Sequence, residues 1–503
     1  MTLLDWETPD PAEILVLAGD ADWEALAQRY PSTNEAPLLR CFEVARANGA
    51  TTVVIETRYI DLDYRSEYSA FYSRTFQAIP DSAHRLHFFR APLRSEQLWQ
   101  LPVDHGYVGY MVVRPSELGR VGRAMLPAPP GLESAVRTAV TDRVNFFGQE
   151  LRVEASPFVQ QDTQLGRCAH SAAWMCHFSA FLRGDVSRRP MAAFSLSADP
   201  GLGLGRPLPS PGLTVHQLLE LLRIFDLPPA FYYVQNLPPS SQLPWPEPDP
   251  TPPSDAPDRH PGFWDWRIIR IVCRYLNSGL PVLVGTRDHA FVLCGYRRDV
   301  REGARDWITF IRHDDQRGPY LLVGDVLNDI DSSGYSYSPW EYLIVPLPEK
   351  LWLPPEPVEA TGAFLMQGLA TNVARQVPEA TQLSAAITAG ELALRTFAIR
   401  SNSFKASLDG RLEPSLVREY RLARLPRYTW VVEAIDRRLR AAGQPCVLGE
   451  AVFDATSSET LPKALIVHIP GIALLEHVGI SSDPPRLLRC GGSAYETGGV
   501  GPS

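Results

Sequence analysis

Seven cysteines are scattered through the chain, at positions 41, 168, 176, 273, 294, 446 and 490, and one has a setting suited to chemistry. The stretch SPFVQQDTQLGRCAHSAAWMCHFSAFLRGD (156–185) reads as a short strand and a polar turn, followed by an apolar helix that opens at Cys168 and ends near Gly184. The first N–H groups of a helix lack intrahelical acceptors, and the positive end of the helix dipole lies among them. Both effects stabilise a thiolate at that position. Cys168 is therefore a candidate nucleophile, whereas the other six cysteines are adequately explained as small apolar residues or as incidental.

A thiol nucleophile needs a base, and the base needs a partner that fixes its tautomer. Downstream, PVLVGTRDHAFVLCGYRRD (281–299) and ITFIRHDDQRGPYLLV (308–323) read as two strands joined by the charged loop RRDVREGARD. A hairpin centred between Arg301 and Glu302 places position 289 opposite 314, so His289 and Asp314 are expected side by side on one face. Asp315 is expected on the other face. Cys168, His289 and Asp314 together have the chemistry of acyl transfer through a thioester.

Competing uses of these residues are weaker. His170 lies two positions beyond Cys168 on the helix, which turns it away from the thiol and makes it a surface or core histidine. Cys168, His170, Cys176 and His177 do not suit one tetrahedral zinc, because eight helical residues separate the cysteines by about 12 Å. Asp314 and Asp315 in RHDDQRG lack the spaced oxygen ligands of a calcium loop. No metal and no cofactor is expected. GYMVVRPSELGRVGRAMLP (109–127) contains Gly119 and Gly122 after a strand, but their spacing fits neither the dinucleotide nor the P-loop pattern.

The elements that position these residues are punctuated by proline, of which the 503-residue chain has 46. Ten of the 24 residues from Pro238 to Pro261 are proline, which excludes helix or central strand and reads as an extended insertion. PLPEKLWLPPEPVEA (346–360) marks a second break. Three domains follow: an N-terminal α/β domain over 1–150, a central domain over 151–350 carrying the insertion, and a small α+β domain over 361–503. In the first, EILVLAG, TTVVIETRYI, HRLHFF and GYVGYMVV read as strands alternating with helices. In the central domain, Thr214 and Gln217 form a capping box ahead of an amphipathic helix. In the third, WVVEAIDRRLRAAG reads as a helix stopped by Gly443, and the tail from 491 reads as disordered.

Composition bounds the function classes. Net charge is −9, which supplies no global footprint for nucleic acid. The arginine-bearing LVREYRLARLPRY (416–428) reads as the solvated face of a helix. No apolar run approaches the ~20 residues of a membrane span, and the acidic N-terminus lacks the basic region of a secretory signal. An odd, sparse set of cysteines fits a reducing compartment, so the expected location is the cytoplasm.

The central domain resembles a papain-like cysteine peptidase, and within that group the C39-like peptidase domains. The likeness rests on QQDTQLGRCAHSAAWM, GLTVHQLLELLRIFDLP, GLPVLVGTRDHAFVLCGY and FIRHDDQRG, in that order. It implies an α+β core in which a helix with an N-terminal cysteine packs on an antiparallel sheet. It also implies Cys168 as nucleophile, His289 as base, Asp314 as orienting residue and Gln161 as oxyanion donor, with Gln160 and Gln164 as alternatives. Gln161 stands one residue further from the cysteine than is usual, and Arg167 and Ala169 flank the cysteine where a glycine is common. The implied activity is hydrolysis of a peptide or isopeptide bond in a polypeptide substrate or partner. An amine-accepting, transglutaminase-like acyl transferase and an inactive binding module use the same residues.

Overall fold

The structure is a computed structural model that describes residues 6, 10–197, 210, 212–237, 266–299, 307–325, 330–331, 339–373, 375–458, 461–476 and 486–490. The proline-rich insertion, most of the 297–306 loop and the tail from 491 lie outside the described residues. The chain is mixed α+β with several antiparallel sheets and divides into two compact units. One comprises 1–235, 280–297 and 309–348, and the other 236–279, 298–308 and 349–503.

The first unit opens with β1 (Ala12–Val16), α1 (Asp20–Gln28), α2 (Ala36–Ala47), β2 (Thr52–Tyr59) and α3 (Leu62–Ala70). It continues with β3 (Ala83–Phe89), β4 (Tyr107–Val113) and β5 (Val121–Met125). The five strands pair in chain order and every pair is antiparallel, which differs from the α/β arrangement expected for this segment. The alternation of strand and helix was legible. Its geometry was not, because helices inserted in a meander leave the same sequence pattern as βαβ crossovers. A hairpin follows, β6 (Val140–Phe146) and β7 (Gln149–Ala155), turning on Phe147 and Gly148, both at positive φ.

Next come α4 (Cys168–Leu182), α5 (Met191–Leu196), α6 (Val215–Ile224) and β8 (Pro229–Tyr233); α7 (Trp266–Asn277) belongs to the second unit. The first unit then resumes with β9 (Val282–Gly285), β10 (Ala290–Asp299), β11 (Trp307–Asp314), β12 (Gly318–Asp325), β13 (Ile330–Asp331) and β14 (Tyr342–Pro346). These strands make a seven-stranded sheet in the order β13-β12-β11-β10-β9-β14-β8. The segment 281–299, expected as one strand, is the hairpin β9–β10 with Ala290 opposite Gly285. Its turn is closed by Thr286, whose hydroxyl accepts the His289 N–H at 3.1 Å and whose N–H donates to the His289 carbonyl at 2.9 Å.

Helix α4 packs against α5, α6, β6 and β9 and is buried on all sides from Ala169 to Ala180. Such a helix belongs to a core. One face is fixed by a buried polar cluster: Asp63 accepts Trp174 Nε1–H at 3.1 Å and the Met191 N–H at 3.0 Å, and pairs with Arg188. Trp174 stacks on Phe178 with ring centroids 4.9 Å apart, and the Arg188 guanidinium lies 4.6 Å from the Phe178 centroid. The helix ends with Gly184 at φ 74°, its N–H donating to the Phe181 carbonyl.

The second unit has α8 (Pro355–Val373), α9 (Thr381–Thr388), β15 (Leu392–Arg400), α10 (Ser401–Ala406), α11 (Pro414–Leu422) and β16 (Tyr428–Asp436). It ends with α12 (Arg437–Ala441), β17 (Val447–Asp454), β18 (Ala464–Ile469), β19 (Ile472–Leu475) and β20 (Arg486–Arg489). The strands form an antiparallel meander in chain order. The first half of the expected helix WVVEAIDRRLRAAG is therefore strand, and only Arg437–Ala441 is helical. All nine residues of β16 are buried, so its two faces carry apolar residues without the alternation that announces a strand. Arg274 of α7 binds Glu359 of α8 through Nε at 3.0 Å and Nη2 at 2.7 Å. Burial works against the Glu359 carboxylate, but Arg274 and Arg270 outweigh it and hold its pKa at about 2.

Burial holds four histidines of the first unit neutral: His84, His170 and His313 at about 4, and His177 at about 3. Their folded pKa values lie below that of an unfolded histidine, so the unfolded chain binds more protons between about pH 6.5 and 4. Stability is therefore present above that window and is lost as pH falls through it, on the order of 1–3 kcal/mol per histidine. Thermal unfolding followed from pH 7 to 4 should show a steadily falling midpoint; a flat profile would contradict this.

Candidate active site

The site is built on the turn that precedes α4. Asp162 is buried, and its Oδ1 accepts backbone N–H groups from Gln164 at 3.1 Å, Leu165 at 2.8 Å and Gly166 at 2.8 Å. Its Oδ2 accepts the Tyr72 hydroxyl at 2.8 Å. This carboxylate winds the chain into a tight turn that delivers Cys168 to the first position of the helix, and it holds Thr163 at φ 62°, a left-handed conformation that costs a β-branched residue about 1 kcal/mol or more.

Behind the turn, the buried Arg114 donates from Nη2 to the Gln160 carbonyl at 2.7 Å, from Nε to the Gly119 carbonyl at 2.8 Å, and from Nη1 to Glu67 at 3.1 Å. Gly119 belongs to this support. A Cβ there would stand 2.3 Å from the Gln161 carbonyl oxygen and 2.9 Å from the Asp162 Cα. The glycine of the 109–127 segment thus admits the backbone of the nucleophile turn rather than a phosphate.

His289 sits at the threshold of β10. Its ring is hydrogen-bonded to the Cys168 thiol, its Nε2 lies 3.2 Å from Asp314 Oδ1, and its Nδ1 faces Gln316 Nε2 at 3.3 Å. Burial works to lower the imidazole pKa. The hydrogen bonds to Asp314 and Cys168, with the charges of Asp314 and Asp315, outweigh it and raise the pKa well above the usual histidine value. Asp314 is fully buried, and its Oδ1 also accepts the Gln316 N–H at 3.0 Å. The Arg312 Nε lies 3.7 Å from Asp314 Oδ2.

Asp315 is not on the opposite face as expected. Its Oδ1 is 3.8 Å from His289 Nε2. The β11–β12 register shifts between Arg312 and Asp314, and Asp315 follows the end of β11, so strand alternation no longer governs where it points.

The structure thus brings Cys168, His289 and Asp314 together, and Cys168 and His289 open on a cleft of about 710 Å³ that Gln161 also lines, with Asp314 buried behind them. Of the three candidate glutamines, Gln160 is consumed structurally: its Oε1 accepts the Val121 N–H at 3.0 Å and its Nε2 donates to the Asn34 carbonyl at 3.0 Å. Gln164 lines a different cavity. The cleft is otherwise polar, with Arg167, Ser195, Ser210, Thr214, Gln217 and Arg287 among its walls. Tyr342 forms a further wall, paired across the sheet with Gly285, where a Cβ would stand 1.9 Å from its ring. Burial, with the neighbouring Cys168 second, pushes the Tyr342 hydroxyl up to about 12.

His170 also lines the cleft, contrary to the expectation that it faces away. Its Nδ1 accepts the Arg167 N–H at 3.2 Å, which caps α4, and burial lowers its pKa to about 4, so it stays neutral and engaged. Burial raises the pKa values of the Cys41, Cys176 and Cys294 thiols. Among the described residues one group places ligand-type atoms within 4.8 Å of one another: His289, Asp314 and Asp315. His289 Nε2 and Asp314 Oδ1 stand at a hydrogen-bonded distance, and the Arg312 Nε, 3.7 Å from Asp314 Oδ2, already supplies a positive charge to that carboxyl, so the geometry fits an imidazole–carboxylate pair better.

Asp162, Gln316, Tyr342 and Gly119 were not singled out for the site from sequence. Only the Asp-Thr dipeptide ahead of Gly166 carried a local turn signal. Compared with models of known protein families and with curated proteins, the chain matches none.

Gly119→Ala should displace the 160–166 turn, because its clashes are with backbone rather than with a yielding side chain. We expect a stability loss of about 1–3 kcal/mol and slower alkylation of Cys168. Unchanged iodoacetamide kinetics in the folded variant would contradict this account of the turn.

Proposed function

We propose that the chain is a cysteine peptidase-like hydrolase with a papain-like core, which cleaves a peptide or isopeptide bond through a Cys168–His289–Asp314 triad. The observation that carries the reading is the hydrogen-bonded sequence thiol, imidazole, buried carboxylate, opening on a polar cleft from the N-terminus of a buried helix.

In this reading His289 takes the thiol proton, and the Cys168 sulfur attacks the carbonyl carbon. The oxygen that gains negative charge is met by the Cys168 N–H, which has no intrahelical acceptor, and by the Gln161 amide. The Gln161 side chain makes no hydrogen bond among the described residues and is free to donate. His289 then protonates the leaving amine. Water, activated by the same imidazole, releases the acid from the thioester. The Nε2–Asp314 hydrogen bond fixes the ring and leaves Nδ1 as the nitrogen to take the thiol proton.

A polypeptide substrate suits a cleft of this size lined by hydrogen-bonding groups. Seven free cysteines suit the cytoplasm. Among the described residues no helix is long and apolar enough to cross a membrane.

Iodoacetamide at neutral pH should label Cys168 ahead of every other cysteine, and Cys168→Ala should abolish turnover of a peptide library. Gln161→Ala should lower kcat by about 10²–10³ with Cys168 labelling nearly unchanged, because that donor acts on the oxyanion. Equal labelling of several cysteines, or turnover surviving in Cys168→Ala, would refute the reading. Product masses in the presence of an added primary amine would separate hydrolysis from acyl transfer.

A further inference from the structure

Asp315 is the buried acid that the triad leaves unused. It is 1 % exposed, and among the described residues neither carboxylate oxygen has a hydrogen-bond partner beyond the residue's own backbone N–H. A buried carboxyl in that condition is costly unless it serves a nearby charge. The nearby charge is the His289 ring, whose Nε2 lies 3.8 Å from Asp315 Oδ1 while Asp314 Oδ1 holds the direct hydrogen bond at 3.2 Å. The imidazole thus has carboxyls of two consecutive residues at its Nε2 edge.

We propose that Asp315 is a positioning residue: a second carboxyl held against the outer edge of His289, which stabilises the imidazolium formed when Cys168 loses its proton and extends the thiolate–imidazolium pair toward alkaline pH. The proposal rests on Cys168 being the nucleophile. In the proton transfer the S–H bond breaks, an N–H bond forms at His289 Nδ1, and Nε2 keeps its proton. The ring gains one positive charge and sulfur one negative charge. Asp314 remains the anionic hydrogen-bond acceptor and Asp315 acts through space.

The groups acting on this arrangement are Asp314 and Arg312 from β11, Cys168 from α4, and Asp288 and Arg287 in the turn before β10. Burial pushes Asp315 up to about 7, His289 opposing and Asp314 reinforcing. Asp315 is therefore largely neutral in mild acid, where Asp314 alone supports the imidazolium. It ionises as pH rises through neutrality and adds attraction as the solution begins to strip the imidazolium of its proton.

The sign of the effect follows from charge. Removing a carboxylate beside the ring lowers the pKa at which the imidazolium deprotonates, and more weakly lowers that of the thiol. The pH dependence of Cys168 alkylation by iodoacetamide, an uncharged probe, should show two inflections in the full-length protein. In Asp315→Asn the upper one should move down by about one pH unit or more, and the lower one by less.

A second measurement does not depend on the variant folding. Infrared titration of the wild-type protein should show a buried carboxyl losing its proton near pH 7, and alkylation of Cys168 should move that midpoint upward by discharging the imidazolium. An unmoved upper inflection in folded Asp315→Asn, or a carboxyl midpoint indifferent to alkylation, overturns the assignment while a hyper-reactive Cys168 leaves the nucleophile reading standing. A Cys168 no more reactive at neutral pH than a model thiol overturns both.

Discussion

The Asp162 carboxylate is the interaction on which the site depends. One oxygen gathers three consecutive backbone N–H groups and the other receives the Tyr72 hydroxyl, so all its strong acceptor directions are spent on shaping the turn before α4. Without it, three N–H donors in a largely buried loop would lose their acceptor, each costing about 1–3 kcal/mol. Through Tyr72, and through Arg114 holding the Gln160 carbonyl, the N-terminal five-stranded region of the first unit becomes the support of the nucleophile turn. The N-terminal region is thereby given a physical role in shaping the turn that carries Cys168.

From that turn the groups run outward in the order thiol, imidazole, Asp314, Arg312. The fully enclosed Asp314 carboxyl thus lies between an imidazole and a guanidinium, the surroundings a buried carboxylate needs. Burial alone would drive His289 the way it drives His170, His177 and His313, toward a low pKa and a neutral ring. The same desolvation acts on His289 and is overcome by its hydrogen bonds to Asp314 and Cys168 together with the charges of Asp314 and Asp315. One acidic neighbour is not enough in this unit, since burial keeps His87 low beside Glu56 and His170 low despite Asp162.

Sequence reasoning reached Cys168, His289 and Asp314 because each has a local signature: a cysteine where an apolar helix starts, and a histidine and an aspartate at mirrored distances from a charged loop. The capping box at Thr214 and Gln217 was equally local and is formed, with Gln217 N–H donating to the Thr214 hydroxyl at 3.3 Å and Thr214 N–H to Gln217 Oε1 at 2.9 Å. What escaped depends on deviations from ideal geometry or on distant partners. The register shift after Arg312 places Asp315 beside His289, and no alternation rule contains it. The Thr286 turn inside 281–299 was hidden by apolar residues on both sides. Strand β16 reads as helix in the sequence because burial on both faces removes the period-two pattern, leaving the charged residues 433–440 to suggest a helical one. The antiparallel order of the N-terminal sheet follows from where the connections return the chain, which composition does not encode.

Six cysteines lack the surroundings of the seventh, and the contrast is physical rather than statistical. Cys41, Cys176 and Cys294 are buried in apolar cores, where taking a thiolate out of water raises its pKa beyond reach of neutral solution. Cys490 is only half-buried, yet burial still lifts it to about 11, and its neighbour His468 is held neutral at about 4, so that pair cannot exchange a proton near neutrality. Proximity of cysteine to histidine is thus not sufficient in this chain. Cys168 differs in meeting three conditions at once: a helix N-terminus, an imidazole whose protonated form is favoured by two carboxyls, and a cleft through which a carbonyl can approach.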